Sequence, residues 1–139
     1  MSSVLTEATI YNLHDLTESK FGKLPSDQVR FIRVNDALVD TGATTICLPK
    51  RYIEQLGLTK QFEKRTKAAG GMTTMNVYDA VRIEIRGQFA TADPIEIPDE
   101  CPILIGQIPL EMMDWVVDLQ ARRLVSNPAH GGEHILEVL

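Results

Sequence analysis

An acidic turn between two apolar stretches, at residues 37–49 (ALVDTGATTICLP), constrains the fold of this chain more than any other feature. Three apolar residues lead to Asp40-Thr41-Gly42, and a second apolar run over 46–48 leads away from it. Short apolar runs bounded by turn residues are typical of buried strands. Glycine permits a tight turn and lets backbone N–H groups approach a neighbouring carboxylate. The segment therefore predicts a carboxylate held at a turn between two buried strands.

Short strands dominate the remaining sequence. Residues 81–85 (VRIEI) alternate between apolar and charged, as a half-buried strand does. Gly70-Gly71 lies between two strand-like arms and predicts a hairpin. The same patterns predict strands at 4–11, 30–39, 45–48, 62–69, 75–85, 89–97, 102–105, 115–119, 121–127 and 134–139.

Few helices are expected. Pro49 at the start and Gly57 at the stop predict a helix of about two turns, and a second short helix is expected after Pro109. Residues 12–28 are interpreted as irregular because they contain Gly22 and Pro25. Neither a repeat nor a linker is evident, so we predict one mostly-β domain over residues 1–139.

Composition narrows the class of protein. Hydrophobic residues make up 44% of the 139 residues and charged residues 24%, which is typical of a globular domain. The net charge of −5 argues against a nucleic-acid partner. Neither a signal peptide nor an apolar stretch of roughly 18 residues is present, so we expect a cytoplasmic protein with no membrane partner. Cys47 and Cys101 are expected to be reduced thiols, with Cys47 acting as a small hydrophobic residue.

Asp-Thr-Gly alone is a common tripeptide. The acidic turn is informative here because it is the first of three features that occur in a particular order along the chain. They are Asp40-Thr41-Gly42-Ala43, the glycine-tipped hairpin at 70–71, and the sequence ILIG at 103–106. Over roughly residues 30–125 the chain resembles the retropepsin-like (clan AA) aspartic peptidases, and compact single-domain bacterial members in particular. The resemblance implies an all-β acid-protease fold, a closed β-barrel with one or two short helices.

The resemblance also implies an activity, that of an aspartic endopeptidase. Such enzymes cleave peptide bonds with two carboxylates that share one proton, of which one activates a water. This chain holds a single Asp-Thr-Gly, so one copy cannot form the pair. A two-fold axis would bring Asp40 of one copy to Asp40 of another, which predicts a homodimer acting on a peptide or protein.

Supporting roles follow from the same resemblance. Thr41 should hydrogen-bond across the dimer axis, Gly42 should donate its N–H to the carboxylate, and Gly106 should pack beneath the loop. A flap over the substrate is expected to consist of Ala69, Gly70, Gly71 and Met72. No cofactor and no metal are expected.

The sequence departs from the family pattern after the triplet. Many members have an acidic residue or Ser after the alanine, whereas Ala43 is followed here by Thr44-Thr45. Pepsin-like enzymes often carry a hydroxyl at the position of Ala43, so its absence favours a mildly acidic to near-neutral working range. The departure leaves open an alternative function, a non-proteolytic dimerisation or protein-binding module.

A second alternative is a zinc site. His130-Gly-Gly-Glu-His134 matches the H-x-x-E-H signature of inverted zinc peptidases. That signature needs a helix to place both imidazoles on one face, and two glycines within it oppose a helix. A turn is the favoured interpretation.

Overall fold

The computed structural model describes residues 3–138 and contains mainly short strands. The strands are β1 Leu5–Asn12, β2 Phe31–Val39, β3 Ile46–Pro49, β4 Lys60–Ala68, β5 Gly71–Tyr78, β6 Val81–Ile85, β7 Gln88–Ala92, β8 Ile95–Ile97, β9 Leu104–Ile105, β10 Trp115–Asp118 and β11 Arg123–Ser126. The helices are α1 Leu13–Lys20, α2 Lys50–Leu56 and α3 Gln107–Met112, with 3₁₀ turns at Ser26–Gln28 and Pro128–His130.

Nine of the strands form one sheet that curls into a half-barrel, in the order β4-β5-β8-β3-β9-β2-β1-β6-β7. β10 and β11 form a separate hairpin. The alternation in β6 places Val81, Ile83 and Ile85 in the core, while the charged residues between them are half-exposed. The predicted mostly-β fold with short helices is confirmed.

Strand order determines where the acidic turn lies. β9 pairs in parallel with β2 and antiparallel with β3, so the short β9 lies between them. The loop from Asp40 to Thr45 leaves β2 and returns as β3 on the other side of β9. The predicted turn between two strands is confirmed, and its two strands are neighbours of β9 rather than of each other.

The prediction of an irregular segment at 12–28 is wrong over its first half, where α1 forms. The Asn12 side chain caps this helix by accepting from the Asp15 backbone N–H at 3.0 Å. The Asp15 carboxylate then accepts three hydrogen bonds from Arg30, one from the backbone N–H and two from the guanidinium. Gly22 and Pro25 follow the helix, so these two turn residues mark the end of α1 and do not exclude a helix before them.

Two predicted strands are each divided in the structure. Residues 75–85 belong to β5, which pairs with β4, and to β6, which pairs with β1 and β7. Residues 89–97 are interrupted at Asp93-Pro94, where Pro94 has no N–H to donate. β7 and β8 therefore lie in different parts of the sheet.

The predicted strand at 134–139 does not form within the described residues of this chain. Residues 134–138 have no strand pairing, and Leu139 lies outside the described residues. Within residues 3–138, no helix combines the length and apolar character needed to cross a bilayer.

Candidate active site

Backbone hydrogen bonds hold Asp40 at the end of β2. The Asp40 N–H donates to the carbonyl of Ile105 at 2.9 Å, which ties the residue to β9. The Gly42 N–H donates to Asp40 Oδ1 at 2.9 Å, and the Ala43 N–H donates to the Asp40 carbonyl at 3.0 Å. Asp40 is half-buried, whereas Thr41 and Gly42 are exposed. The loop therefore presents one oriented carboxylate at an open surface.

The start of α3 braces the other side of the loop. The first helical N–H groups have no partner within a helix, and here those of Gln107 and Ile108 donate to the carbonyls of Ala43 and Thr44 at 2.8 and 3.0 Å. Gly106 allows this close approach. A Cβ at position 106 would lie 2.7 Å from the Ala43 carbonyl oxygen and closer still to the carbonyl oxygen of Thr45. Gly106 has an extended conformation, so the requirement for glycine is one of space.

The sequence indicated Ile105 only as part of ILIG, and it indicated no role for Gln107. Ile105 and Gln107 act through backbone groups, which any residue carries, so side-chain type gave no signal for their roles. Thr45 adds a side-chain anchor, since its hydroxyl donates to the Asp93 carbonyl at 3.0 Å.

The predicted hairpin is confirmed as β4 and β5, which pair from Lys60–Tyr78 to Ala68–Gly71. Ala69 and Gly70 form its two-residue turn, while Gly71 and Met72 begin β5. Gly71 has a φ of +113°, a conformation that residues with a side chain rarely adopt. All four residues are exposed.

A cavity of about 460 Å³ lies between the base of this hairpin and the loop. Phe62, Lys64 and Val77 line it from the hairpin, and Thr45 and Ile108 line it from the loop and α3. Asp40 and Thr41 line a separate cavity of about 300 Å³. The hairpin base and the loop thus share one concave surface.

Cys47 lies on β3 close to the acidic loop. Burial raises the pKa of its thiol to about 11, and the Asp40 charge acts in the same direction. A thiol with this pKa is protonated at neutral pH, so Cys47 is not suited to act as a nucleophile.

The two histidines of the H-x-x-E-H sequence face different partners. His130 contacts Asp114 and Glu137 through its two ring nitrogens, and His134 Nδ1 contacts the Met113 carbonyl at 2.9 Å. Residues 128–130 form a 3₁₀ turn rather than the helix that the zinc signature needs. Among residues 3–138, no three His, Cys, Asp or Glu side chains are arranged so that they could hold a metal ion. The zinc alternative is therefore not supported.

Comparisons with known proteins give a family match and likenesses to solved structures. A family model described as gag-polyprotein putative aspartyl protease matches residues 33–110, more than half of the chain. No curated protein sequence matches the chain significantly. The solution structure of simian foamy virus (mac) protease is 19% identical, with a TM-score of 0.47, and the match covers 76% of this chain and 90% of the viral one.

Proposed function

Because the chain belongs to the gag-polyprotein putative aspartyl protease family, we propose that it is an aspartic endopeptidase that acts as a homodimer. The observation that supports this most directly is the geometry of Asp40, a carboxylate oriented at an exposed loop by the Gly42 N–H. The chain contains one Asp-Thr-Gly, so a second copy must supply the second carboxylate. We propose that a single domain of residues 1–139 carries this activity.

In the proposed mechanism the two Asp40 carboxylates share one proton. The ionised carboxylate takes a proton from a water as the water oxygen bonds to the peptide carbonyl carbon, and the protonated carboxyl donates its proton to the carbonyl oxygen, which gives a tetrahedral diol. The C–N bond then breaks as the first carboxyl gives its proton to the amide nitrogen and the second takes a proton back from the diol, so that an acid and an amine leave and the pair again shares one proton. Gly42 orients Asp40 through its N–H, and Ala43 and Gly106 keep the loop against α3. Thr41 is exposed beside Asp40, which is compatible with a hydrogen bond to the second copy.

The hairpin is proposed to close over a bound peptide. Ala69, Gly70, Gly71 and Met72 form its exposed tip, and its base shares a cavity with the loop. A lid that closes over the site would exclude water and position the peptide. The cytoplasmic location stays a prediction from the sequence.

The proposed function is tested by measuring cleavage and association together. A random peptide library, assayed from about pH 3 to about pH 8, covers the range in which paired carboxylates act. Sedimentation of the same samples at micromolar concentration is expected to show a dimer, with cleavage confined to the dimer fraction. Peptidase activity in a strictly monomeric species would contradict the shared pair. A dimer that cleaves nothing would favour the binding-module alternative, which the Thr44-Thr45 departure motivates.

Substitution of Gly71 tests the hairpin. Valine is β-branched and strained at a φ of +113°, at a cost of order 1–3 kcal/mol, so Gly71→Val should distort the tip. We expect turnover to fall at least about tenfold, because a distorted lid closes poorly. The melting temperature should fall by only a few degrees, because the exposed tip can rearrange locally.

A matched control is available one residue earlier. Gly70 does not have a positive φ, and a Cβ there would meet nothing within 4 Å. Gly70→Ala should therefore retain most of the turnover. Unchanged turnover in Gly71→Val, measured beside this control, would show that the hairpin is not the flap.

A further inference from the structure

The segment of residues 131–138, here called the C-terminal segment, lines a cavity together with the acidic loop. A cavity of about 580 Å³ brings its residues Ile135 and Leu136 together with Thr41 of the loop and with Gln107 and Leu110 of α3. The proposed function does not account for this arrangement. It raises the question of what holds the segment on this face.

Four contacts hold the C-terminal segment, three of them to residues 113–115 where α3 passes into β10 and one to His130 of the second 3₁₀ turn. The Ile135 N–H donates to Asp114 Oδ2 at 3.0 Å. Glu137 Oε1 lies 2.8 Å from His130 Nε2. His134 contacts the Met113 carbonyl, and its ring packs edge-on against Trp115, with centroids 4.5 Å apart.

His130 connects two of these contacts because it lies between two carboxylates. Its Nδ1 is 2.7 Å from Asp114 Oδ2, and its Nε2 is 2.8 Å from Glu137 Oε1. An ionised carboxylate only accepts hydrogen bonds, and a neutral imidazole carries one N–H. Both contacts are therefore satisfied together only by the imidazolium, which has two N–H groups.

We propose that Asp114, His130 and Glu137 form a pH-sensitive clasp that holds the C-terminal segment on the face carrying Thr41, and that opening it weakens docking of a second copy. The part concerning the second copy rests on the proposed function. The clasp itself is a property of the single chain. It requires only that His130 be protonated and both carboxylates ionised.

The sign of the pH dependence follows from the two less exposed members, His130 and Asp114. The hydrogen bond to Asp114, and then that to Glu137, raises the pKa of His130 above its ordinary value. The stability that protonated His130 contributes to the clasp is fully present below the unfolded-state pKa of about 6.5. It is lost as pH rises through the higher folded-state pKa. The hydrogen bond from His130 lowers the pKa of Asp114, so its contribution is lost only as pH falls through that lowered value. The clasp is thus closed in mildly acidic solution and opens toward alkaline pH.

Exposure decides which contact opens first. The side chain of Glu137 is 76% exposed, whereas those of His130 and Asp114 are 12% and 9% exposed. Water can replace His130 as the partner of Glu137, but the Asp114 carboxylate keeps Asn127 and the Ile135 N–H as further partners. Loss of the His130 proton should therefore release Glu137 first.

The other titratable groups near the clasp do not reverse this sign. Glu111 of α3 lines the same cavity and accepts a hydrogen bond from Gln107 at 2.9 Å. His134 faces the Met113 carbonyl through Nδ1, a contact that either an imidazolium or a neutral ring can make. Glu111 is acidic like the two clasp carboxylates, and an acidic neighbour does not disfavour the protonated form of an imidazole.

A second copy is the occupant that this face favours. Thr41 lines the cavity beside the C-terminal segment and also the cavity of Asp40, and Val117 lines both, so the two surfaces are continuous. Large apolar side chains are exposed on this face, with Leu119 at 68% and Leu136 at 49%. A segment that is already ordered loses less conformational entropy when a partner binds it. A closed clasp should therefore strengthen association.

The test compares segment order and self-association across pH. The Ile135 N–H exchanges only when it leaves Asp114, so its protection reports opening of the whole C-terminal segment, which the contact of Glu137 with His130 opposes. Corrected for intrinsic exchange, this protection is expected to fall about tenfold or more from about pH 6 to about pH 9. Over the same range the dimer dissociation constant from sedimentation should rise. In Glu137→Gln, both the protection and the dissociation constant should change less with pH, because a neutral amide can pair with neutral His130. His14→Gln is the matched control, since His14 is an exposed histidine on α1 whose partner Glu18 is 3.8 Å away.

The outcomes separate the clasp from the proposed function. The clasp is contradicted if the protection of Ile135 in the wild type does not change with pH. It is also contradicted if the pH dependence of that protection is the same in Glu137→Gln as in the wild type. Protection that changes while the dissociation constant does not would overturn the coupling to docking. Because exchange is measured without substrate, failure of all peptide cleavage would count against the proposed function and leave the clasp standing.

Discussion

Asp40→Asn is expected to abolish hydrolysis and to leave a folded dimer. In a homodimer one substitution removes both carboxylates, so both the base and the acid of the proposed mechanism are lost. General acid–base catalysis contributes about 10²–10⁴-fold per group, so the loss of both groups predicts a fall in kcat of roughly 10⁴-fold or more. Asparagine keeps the shape of the side chain, and its amide oxygen can still accept from the Gly42 N–H. Loss of the repulsion between two like charges should leave the dimer at least as stable as the wild type.

A suitable control for this substitution lies on the same strand. Asp36 is an exposed carboxylate of β2, and Asp36→Asn should retain wild-type kcat/KM. Kinetic measurement of both variants, with sedimentation to confirm association, separates loss of chemistry from loss of fold. More than trace activity in Asp40→Asn would place the catalytic acid elsewhere.

Mixing the wild type with Asp40→Asn tests whether the pair is shared. If each active unit needs two intact copies, an equal mixture after exchange should show about one quarter of the activity of undiluted wild type at the same total concentration. A chain that is active by itself would instead show about one half. The comparison requires equal dimer affinities, which sedimentation of each protein checks.

Gly106→Ala is expected to have the second largest effect. The added Cβ would lie 2.9 Å from the Ala43 carbonyl carbon and 2.7 Å from its oxygen, so backbone atoms rather than flexible side chains must move. Overpacking in a well-packed core costs about 1–3 kcal/mol of stability. Because the obstacle at position 106 is backbone, the cost of Gly106→Ala should lie at the upper end of that range. The loop and α3 would separate, and because a displacement of about 1 Å in catalytic geometry can cost about 10²-fold, kcat should fall by that order.

Gly70→Ala is the control for the stability measurement, because the same methyl group is added where there is open space. Denaturant unfolding of both variants gives the two free energies of unfolding. An equal stability of Gly106→Ala and Gly70→Ala would show that the contact between α3 and the acidic loop is looser than described. A normal kcat in a destabilised Gly106→Ala would separate the contact from catalysis.

Local pattern was sufficient for much of the fold. The alternation in VRIEI predicts β6. Pro49 and Gly57 mark the two ends of α2 to within one residue, and Gly70-Gly71 marks the β4–β5 hairpin. The acidic turn is also local, since apolar residues lead into and out of Asp40-Thr41-Gly42. In these cases the residues that determine the structure are neighbours in the chain, so their spacing carries the signal.

The sequence by itself thus determined that a carboxylate stands at a turn between strands, and that one chain holds only one such triplet. Tertiary structure decided what surrounds that carboxylate. β9 lies between β2 and β3, the Asp15–Arg30 pair stabilises α1 where turn residues suggested none, and His130 joins Asp114 to Glu137. These contacts join residues distant in the chain, often through backbone groups that every residue shares, so no local pattern records them.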